Sequence, residues 1–169
     1  MKEFLRHIVT VTLALSCIVG CDNEEEEKAD EETPQLSSIG TYVFDGTEYG
    51  IVDGYYGEDD YAYYFCFSPQ PENSRNTVIG IGIAKTFNGQ KMDVEKFYAG
   101  DFMFYYEDAL HLYPQEHDFK SGSVYVKSLD DKGRFDVNID AVLPDGKPFR
   151  LDFSGVVEKK DPDDIGLKN

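Results

Sequence analysis

The chain reads as an all-β protein, an antiparallel β-sandwich or small β-barrel of about seven to nine strands. Three observations carry that expectation. From Ser38 onward, short apolar runs alternate with polar residues at period two. The breaks between runs have hairpin chemistry, as in Asp45-Gly46 and Pro144-Asp145-Gly146-Lys147. The aromatic content is 14%, all Tyr and Phe with no Trp, and such rings favour the pleated surface of a strand. After Cys21 no stretch shows the 3.6-residue period of a helix of any length.

Taken in order, Tyr42-Val43-Phe44, Asp45-Gly46 and Glu48 to Val52 read as a hairpin, because Asp-Gly supplies the positive φ angles of a tight turn. Gly54 to Asp60 reads as a loop. Tyr61 to Phe67 is the most aromatic strand, with Tyr61, Tyr63, Phe65 and Phe67 on one face and Ala62, Tyr64 and Cys66 on the other. Both faces are largely apolar, so this strand is expected to be central. Thr77 to Ala84 sets Ile79, Ile81 and Ile83 against Gly80 and Gly82, glycines that flatten the second face against an aromatic neighbour or let the strand bend. Met92 to Phe97 and Asp101 to Glu107 are two further short strands, the latter with Phe102, Phe104 and Tyr106 on one side. Ala109 to Ser121 reads as a loop.

The C-terminal part forms a three-stranded meander. Val124 and Val126 point inward from the first strand. Phe135, Val137, Ile139 and Ala141 point inward from the second, with Asp136, Asn138 and Asp140 outward. Phe149, Leu151 and Phe153 point inward from the third, with Arg150 and Asp152 outward. The β domain is expected over residues 38–158, with a loose polar tail over 159–169.

The front of the chain is organised differently. Lys2 and Arg6 precede an apolar run from Ile8 to Val19, too short to span a bilayer as a helix. Its end, Ile18-Val19-Gly20-Cys21, resembles the bacterial lipobox. That resemblance implies cleavage after Gly20, with residues 1–20 as signal peptide, and lipid on the Cys21 thiol and the freed amine. Two or more acyl chains suffice for stable anchoring. The alternative is an ordinary secretory signal cut near Ala14 or Gly20. Residues Asp22 to Gln35 then hold eight acids and one Lys. Such a tract has almost nothing to bury and is expected to be a disordered linker over 21–37. In proteins of the Bacteroidota type an acidic cluster after the lipidated Cys resembles an export signal to the outer face of the outer membrane. Asp22 directly after Cys21 argues instead for inner-membrane retention under the enterobacterial rule.

Ser121-Gly122-Ser123-Val124-Tyr125-Val126, the Asp145-Gly146-Lys147 hairpin tip and Phe153-Ser154-Gly155 resemble the closing strands of small β-rich surface lipoproteins of the Bacteroidota. The resemblance implies an architecture and a location, and brings no catalytic residues with it.

The formal net charge is −17, so a duplex or an anionic surface would repel the chain and nucleic acid is not an expected partner. With Cys17 in the signal and Cys21 lipidated, Cys66 stands alone among apolar residues and reads as a buried, inert thiol. Carboxylates at Glu58, Asp59 and Asp60, or at Asp130, Asp131 and Asp136, offer hard oxygen ligands but lack a calcium-loop spacing. His111, Glu116, His117 and Asp118 mix imidazole and carboxylate in one loop without zinc-site spacing. No Gly-x-Ser-x-Gly motif is present. No cofactor is expected.

Tyr55, Tyr56, Tyr61, Tyr63 and Tyr64 are the candidate binding residues, as a flat platform for a sugar ring; the competing reading is aromatic packing within the sheet. The expected function is that of a lipid-anchored, non-enzymatic cell-envelope protein, facing outward from the outer membrane, with a structural or adhesive role. A glycan-binding accessory role through the tyrosine cluster is the alternative, and a metal-dependent enzyme on the 111–118 loop is a third.

Overall fold

A computed structural model describes residues 37–114 and 119–165. The expected signal peptide over 1–20, Gly20 and Cys21, the expected linker as far as residue 36, and Glu116, His117 and Asp118 of the histidine loop lie outside the described residues.

The described residues fold as a β-sandwich of two six-stranded sheets. The first sheet holds β1 (Gly40–Phe44), β2 (Thr47–Ile51), β6 (Lys91–Asp93), β9 (Ser121–Ser128), β10 (Arg134–Val142) and β11 (Pro148–Val156), in the order β2-β1-β11-β10-β9-β6. The second holds β3 (Asp53–Glu58), β4 (Ala62–Ser68), β5 (Val78–Ala84), β7 (Phe102–Glu107), β8 (Leu112–Tyr113) and β12 (Glu158–Lys159), in the order β12-β3-β4-β5-β7-β8. Nine of the strands have five residues or more; β6, β8 and β12 are short additions at sheet edges. All pairings are antiparallel except that of β12 on β3.

The sequence patterns explain the strands. In the β1–β2 hairpin Asp45 and Gly46 take φ of 50° and 82°, the turn that the Asp-Gly pair favours. The meander is registered as the alternation requires: Val137 faces both Phe153 and Val126, and Ile139 faces both Leu151 and Val124. All six of these side chains are buried. Gly122 has φ of 128°, and a Cβ there would meet the Asp140 carbonyl oxygen and Ala141 Cα at 2.4 Å, so no other residue fits.

Aromatic rings from the two sheets meet between them. Along β7, Phe102 lies against Phe119, Phe104 against Phe149 of β11, and Tyr106 against Phe44 of β1. Along β4, Phe65 meets Phe135 of β10 and Phe67 meets Phe153 of β11. Inward rings of β4 and β7 thus pack on β1, β10 and β11 of the first sheet. The chain turns its corners with single residues: Val52 joins β2 to β3, and Val157 joins β11 to β12. Their N–H groups donate to the Ser68 and Gly133 carbonyls at 3.0 Å, so neither corner leaves a buried donor unpaired.

Four segments differ from expectation. Gly54 to Glu58 belongs to strand β3 and not to a loop; Gly54 and Gly57 dilute the strand signal because glycine is depleted in strands. Gly57 is needed for close approach, since a Cβ there would strike Ile165 at 2.6 Å. Ordered structure also runs past residue 158. Beyond β12, helix α1 (Pro162–Ile165) lays a buried Ile165 against Tyr55 and Cys66 on the outer face of the second sheet. The strand expected over Met92 to Phe97 is confined to β6 and gives way to a 3-10 turn over Val94–Lys96. The 109–121 segment contains the short strand β8, held on β7 by the Tyr106–Tyr113 pairing.

Phe153 is fully buried and its ring lies 5.0 Å from that of Phe67, while neighbouring Asp152 sits on the wet face. Phe153→Ala is expected to cost about 3–5 kcal/mol. Asp152→Ala is expected to change stability by no more than about 0.5 kcal/mol. Urea melts of the two variants measure both, and a larger loss from Asp152→Ala would reverse the assignment of faces.

Candidate functional site

The five candidate tyrosines do not form one platform. Tyr55 and Tyr56 are consecutive on β3, and Tyr63 and Tyr64 are consecutive on β4, so the pleat sends the members of each pair to opposite faces. Tyr56 and Tyr63 face the inter-sheet core, where both rings pack edge-on against Phe135 at 4.8 and 5.3 Å. Tyr55 and Tyr64 face outward. Arg75 donates to the Tyr55 hydroxyl at 2.8 Å and to Asp53 at 2.6 Å, and the Lys160 ammonium sits 4.2 Å from the centre of the Tyr55 ring. Burial, with a smaller contribution from the neighbouring Cys66, pushes the Tyr55 phenol up to about 12. Tyr64 donates to Asp59 at 3.0 Å. Tyr61 alone is freely exposed, at 80% of its surface.

Two of the five do line a cleft of about 480 Å³ at an open corner between the sheets. Tyr56, Tyr63 and Phe135 form its floor, and Asp130 and Asp131 stand on its rim. Glu58 forms a wall, clasped by Lys85 and by Lys159 of β12, each at 2.7 Å. The two ammoniums also lie over ring faces, Lys85 on Tyr63 at 5.1 Å and Lys159 on Tyr56 at 5.9 Å. The Glu58 wall is therefore already paired, and a cation lies over each of the two tyrosine rings.

The acidic loops use their carboxylates internally. Asp59 accepts from the Tyr61 and Ala62 amides, Asp130 from the Lys132 and Arg134 amides, and Asp136 from the Ser154 hydroxyl. Among the described residues no three carboxylates, imidazoles or thiols converge on a point where a metal ion could sit. His111 pairs with Asp108, Nδ1 to Oδ1 at 3.1 Å, and its ring rests against Phe44. Asp108 also accepts from the Tyr106 hydroxyl and from the Leu110 and His111 amides, which ties this pair into the turn.

The outer face of the first sheet is arranged otherwise. Cross-strand pairing aligns Lys91, Tyr125, Asn138 and Asp152 in one row, and Ser123, Asp140 and Arg150 in the next. These residues line a half-open groove of about 520 Å³, within the usual range for a ligand site. Asn138 Nδ2 donates to Asp152 at 2.8 Å and Arg150 Nε to Asp140 at 3.2 Å. The backbones beneath are locked in the best-registered part of the sheet. Alternation in the sequence shows that Asn138, Asp140, Arg150 and Asp152 face outward. The expected meander already sets β9 beside β10, but nothing in the sequence shows that β6 lies beyond β9 and brings Lys91 into the row of Tyr125.

No family model, curated protein or solved structure matches the chain.

Hydrogen bonds from Lys159 and then from Lys85 hold the Glu58 carboxyl below its usual range. A depressed folded-state pKa stabilises the fold above the unfolded value of about 4.3, and that contribution is lost as pH falls through the folded value. Glu58→Gln is therefore expected to lower stability by up to about 1 kcal/mol at pH 7. The difference from the parent should close toward pH 3. Urea midpoints at the two pH values measure it, and a gap independent of pH would show that the clasp acts by packing alone. Cys66 is buried with its thiol pushed up by desolvation, so iodoacetamide should alkylate it only in denaturant.

Proposed function

We propose that this is a lipid-anchored cell-envelope protein whose β-sandwich is a non-enzymatic binding module, displayed outward and recognising its ligand with the outer face of the first sheet. The observation that carries the binding role is the groove over β9, β10 and β11. There hydrogen-bonding side chains are held in rows by strand register and by one another. Preorganised polar groups on a rigid support lose little freedom when a ligand arrives, which is what recognition without chemistry requires. The corner cleft serves this role less well, because the Lys85 and Lys159 ammoniums already lie over the Tyr63 and Tyr56 rings there.

The anchoring part of the proposal rests on the front of the chain: Lys2 and Arg6, the apolar run, Gly20-Cys21, and the acidic tract from Asp22. An acidic tract of this length supplies a solvated spacer, and seventeen residues from Asp22 to Ser38 reach on the order of 55 Å when extended. The membrane is thus the first partner, through lipid on Cys21, and the groove's ligand the second.

Two measurements test the reading. In detergent phase separation the parent should enter the detergent phase and Cys21→Ser the aqueous phase, since a hydroxyl is a far poorer nucleophile than a thiolate. A parent found wholly in the aqueous phase would overturn anchoring. Alanines at Glu24 to Glu27 should leave lipidation intact and lower the fraction shaved from intact cells by added protease. Unchanged shaving would reduce the tract to a spacer.

A further inference from the structure

Resting on the proposal that the sheet face is the recognition surface, we infer that the ligand of the groove is an uncharged saccharide chain laid across β9, β10 and β11 beside Tyr125. Four features of the groove point to this chemistry.

The first is the kind of group on offer. Asn138 with Asp152, and Arg150 with Asp140, are planar polar groups held in mutual hydrogen bonds. A carboxylate that already accepts one bond keeps lone pairs for a hydroxyl donor, and the amide oxygen of Asn138 keeps its own acceptor capacity. Sugar hydroxyls both donate and accept, and such pairs serve both needs. The second is Tyr125, half-buried between Lys91 and Asn138 in its row, which gives an aromatic face to the C–H face of a ring. The third is what the groove lacks. Ile139 and Leu151 reach it only through their backbones, since both side chains are buried in the core. Its apolar surface comes from the Tyr125 ring and the stems of polar side chains, so an apolar peptide or acyl chain would find no aliphatic side chain to bury against. Strand addition is excluded at this place, because β10 is already paired with both β9 and β11.

The fourth is charge. Lys91 and Arg150 balance Asp140 and Asp152 within the groove, while the chain as a whole carries −17. An anionic ligand meets long-range repulsion and finds Arg150 already paired; a cation finds no surplus of acid. An uncharged polyhydroxylated ligand meets no such penalty. Scale agrees as well: neighbouring strands lie about 4.8 Å apart, so the row from β6 to β11 spans roughly 14 Å.

The test is native affinity electrophoresis of the full-length chain in mild detergent. The gels contain galactomannan, arabinoxylan or β-glucan as neutral polymers, with polygalacturonate as the acidic counterpart. Retardation by at least one neutral polymer, with none by polygalacturonate, is expected. Tyr125→Ala should weaken it about two- to tenfold, and Tyr125→Ala combined with Asn138→Ala should abolish it. Lys120→Ala lies outside the groove and should leave it unchanged. Urea midpoints of all variants close to the parent's show that loss of retardation is not loss of fold. Retardation by polygalacturonate alone, or by none of the four polymers, overturns the inference while leaving anchoring and display to their own measurements. Retardation that survives the double substitution overturns the placement of the recognition surface itself.

Discussion

The structure depends on one layer of aromatic rings between the two sheets. Phe149 of β11 touches Tyr42, Phe104, Tyr106 and Phe119, and Phe135 of β10 touches Tyr56, Tyr63 and Phe65. Large side chains fill the space between the two sheets. Phe and Tyr do this with few rotatable bonds and with favourable edge-to-face geometry. Because Phe135 and Phe149 each gather several rings of the opposite sheet, the aromatic layer also ties the two sheets together at fixed points.

Much of this was legible in the sequence, and what was not has a physical reason. The meander announced itself because hydrophobic alternation over β10 and β11 is uninterrupted, and a slip by one residue would expose its whole inward face. The aromatic strand and the isoleucine strand were legible for the same reason. Their outward faces are unusual in being apolar too: Cys66 and Tyr64 join Tyr55 and Ile165 in a second cluster, and Met103 lies over Gly82. β3 was hidden because its two glycines are there to admit neighbours, a property of tertiary packing that local composition does not express. Helix α1 is one turn long and carries a single apolar residue, too little for any period to show.

The candidate tyrosines illustrate a different limit. Closeness along the chain was legible, and so was the alternation that separates Tyr63 from Tyr64, while that between Tyr55 and Tyr56 was hidden with β3. Which face becomes core and which stays outside depends on the opposite sheet. On the meander the outward residues were legible one strand at a time. Their assembly into rows depends on register and strand order, and strand order brings in β6 from a more distant part of the chain. A recognition surface made of cross-strand neighbours is a property of register and not of any linear motif.

The position of β1 has a consequence for how the molecule is made. β1 is the first strand of the described residues, yet it lies between β2 and β11, the last long strand. A chain emerging from the ribosome with its amino end first can zip the β1–β2 hairpin early, but the far side of β1 must wait until β11 has emerged. Contacts of such long sequence separation are slow to form. The first sheet therefore stays open through nearly all of the synthesis of the domain. A chain stopped anywhere before β11 would present an unpaired strand edge to its neighbours, the kind of surface that invites aggregation.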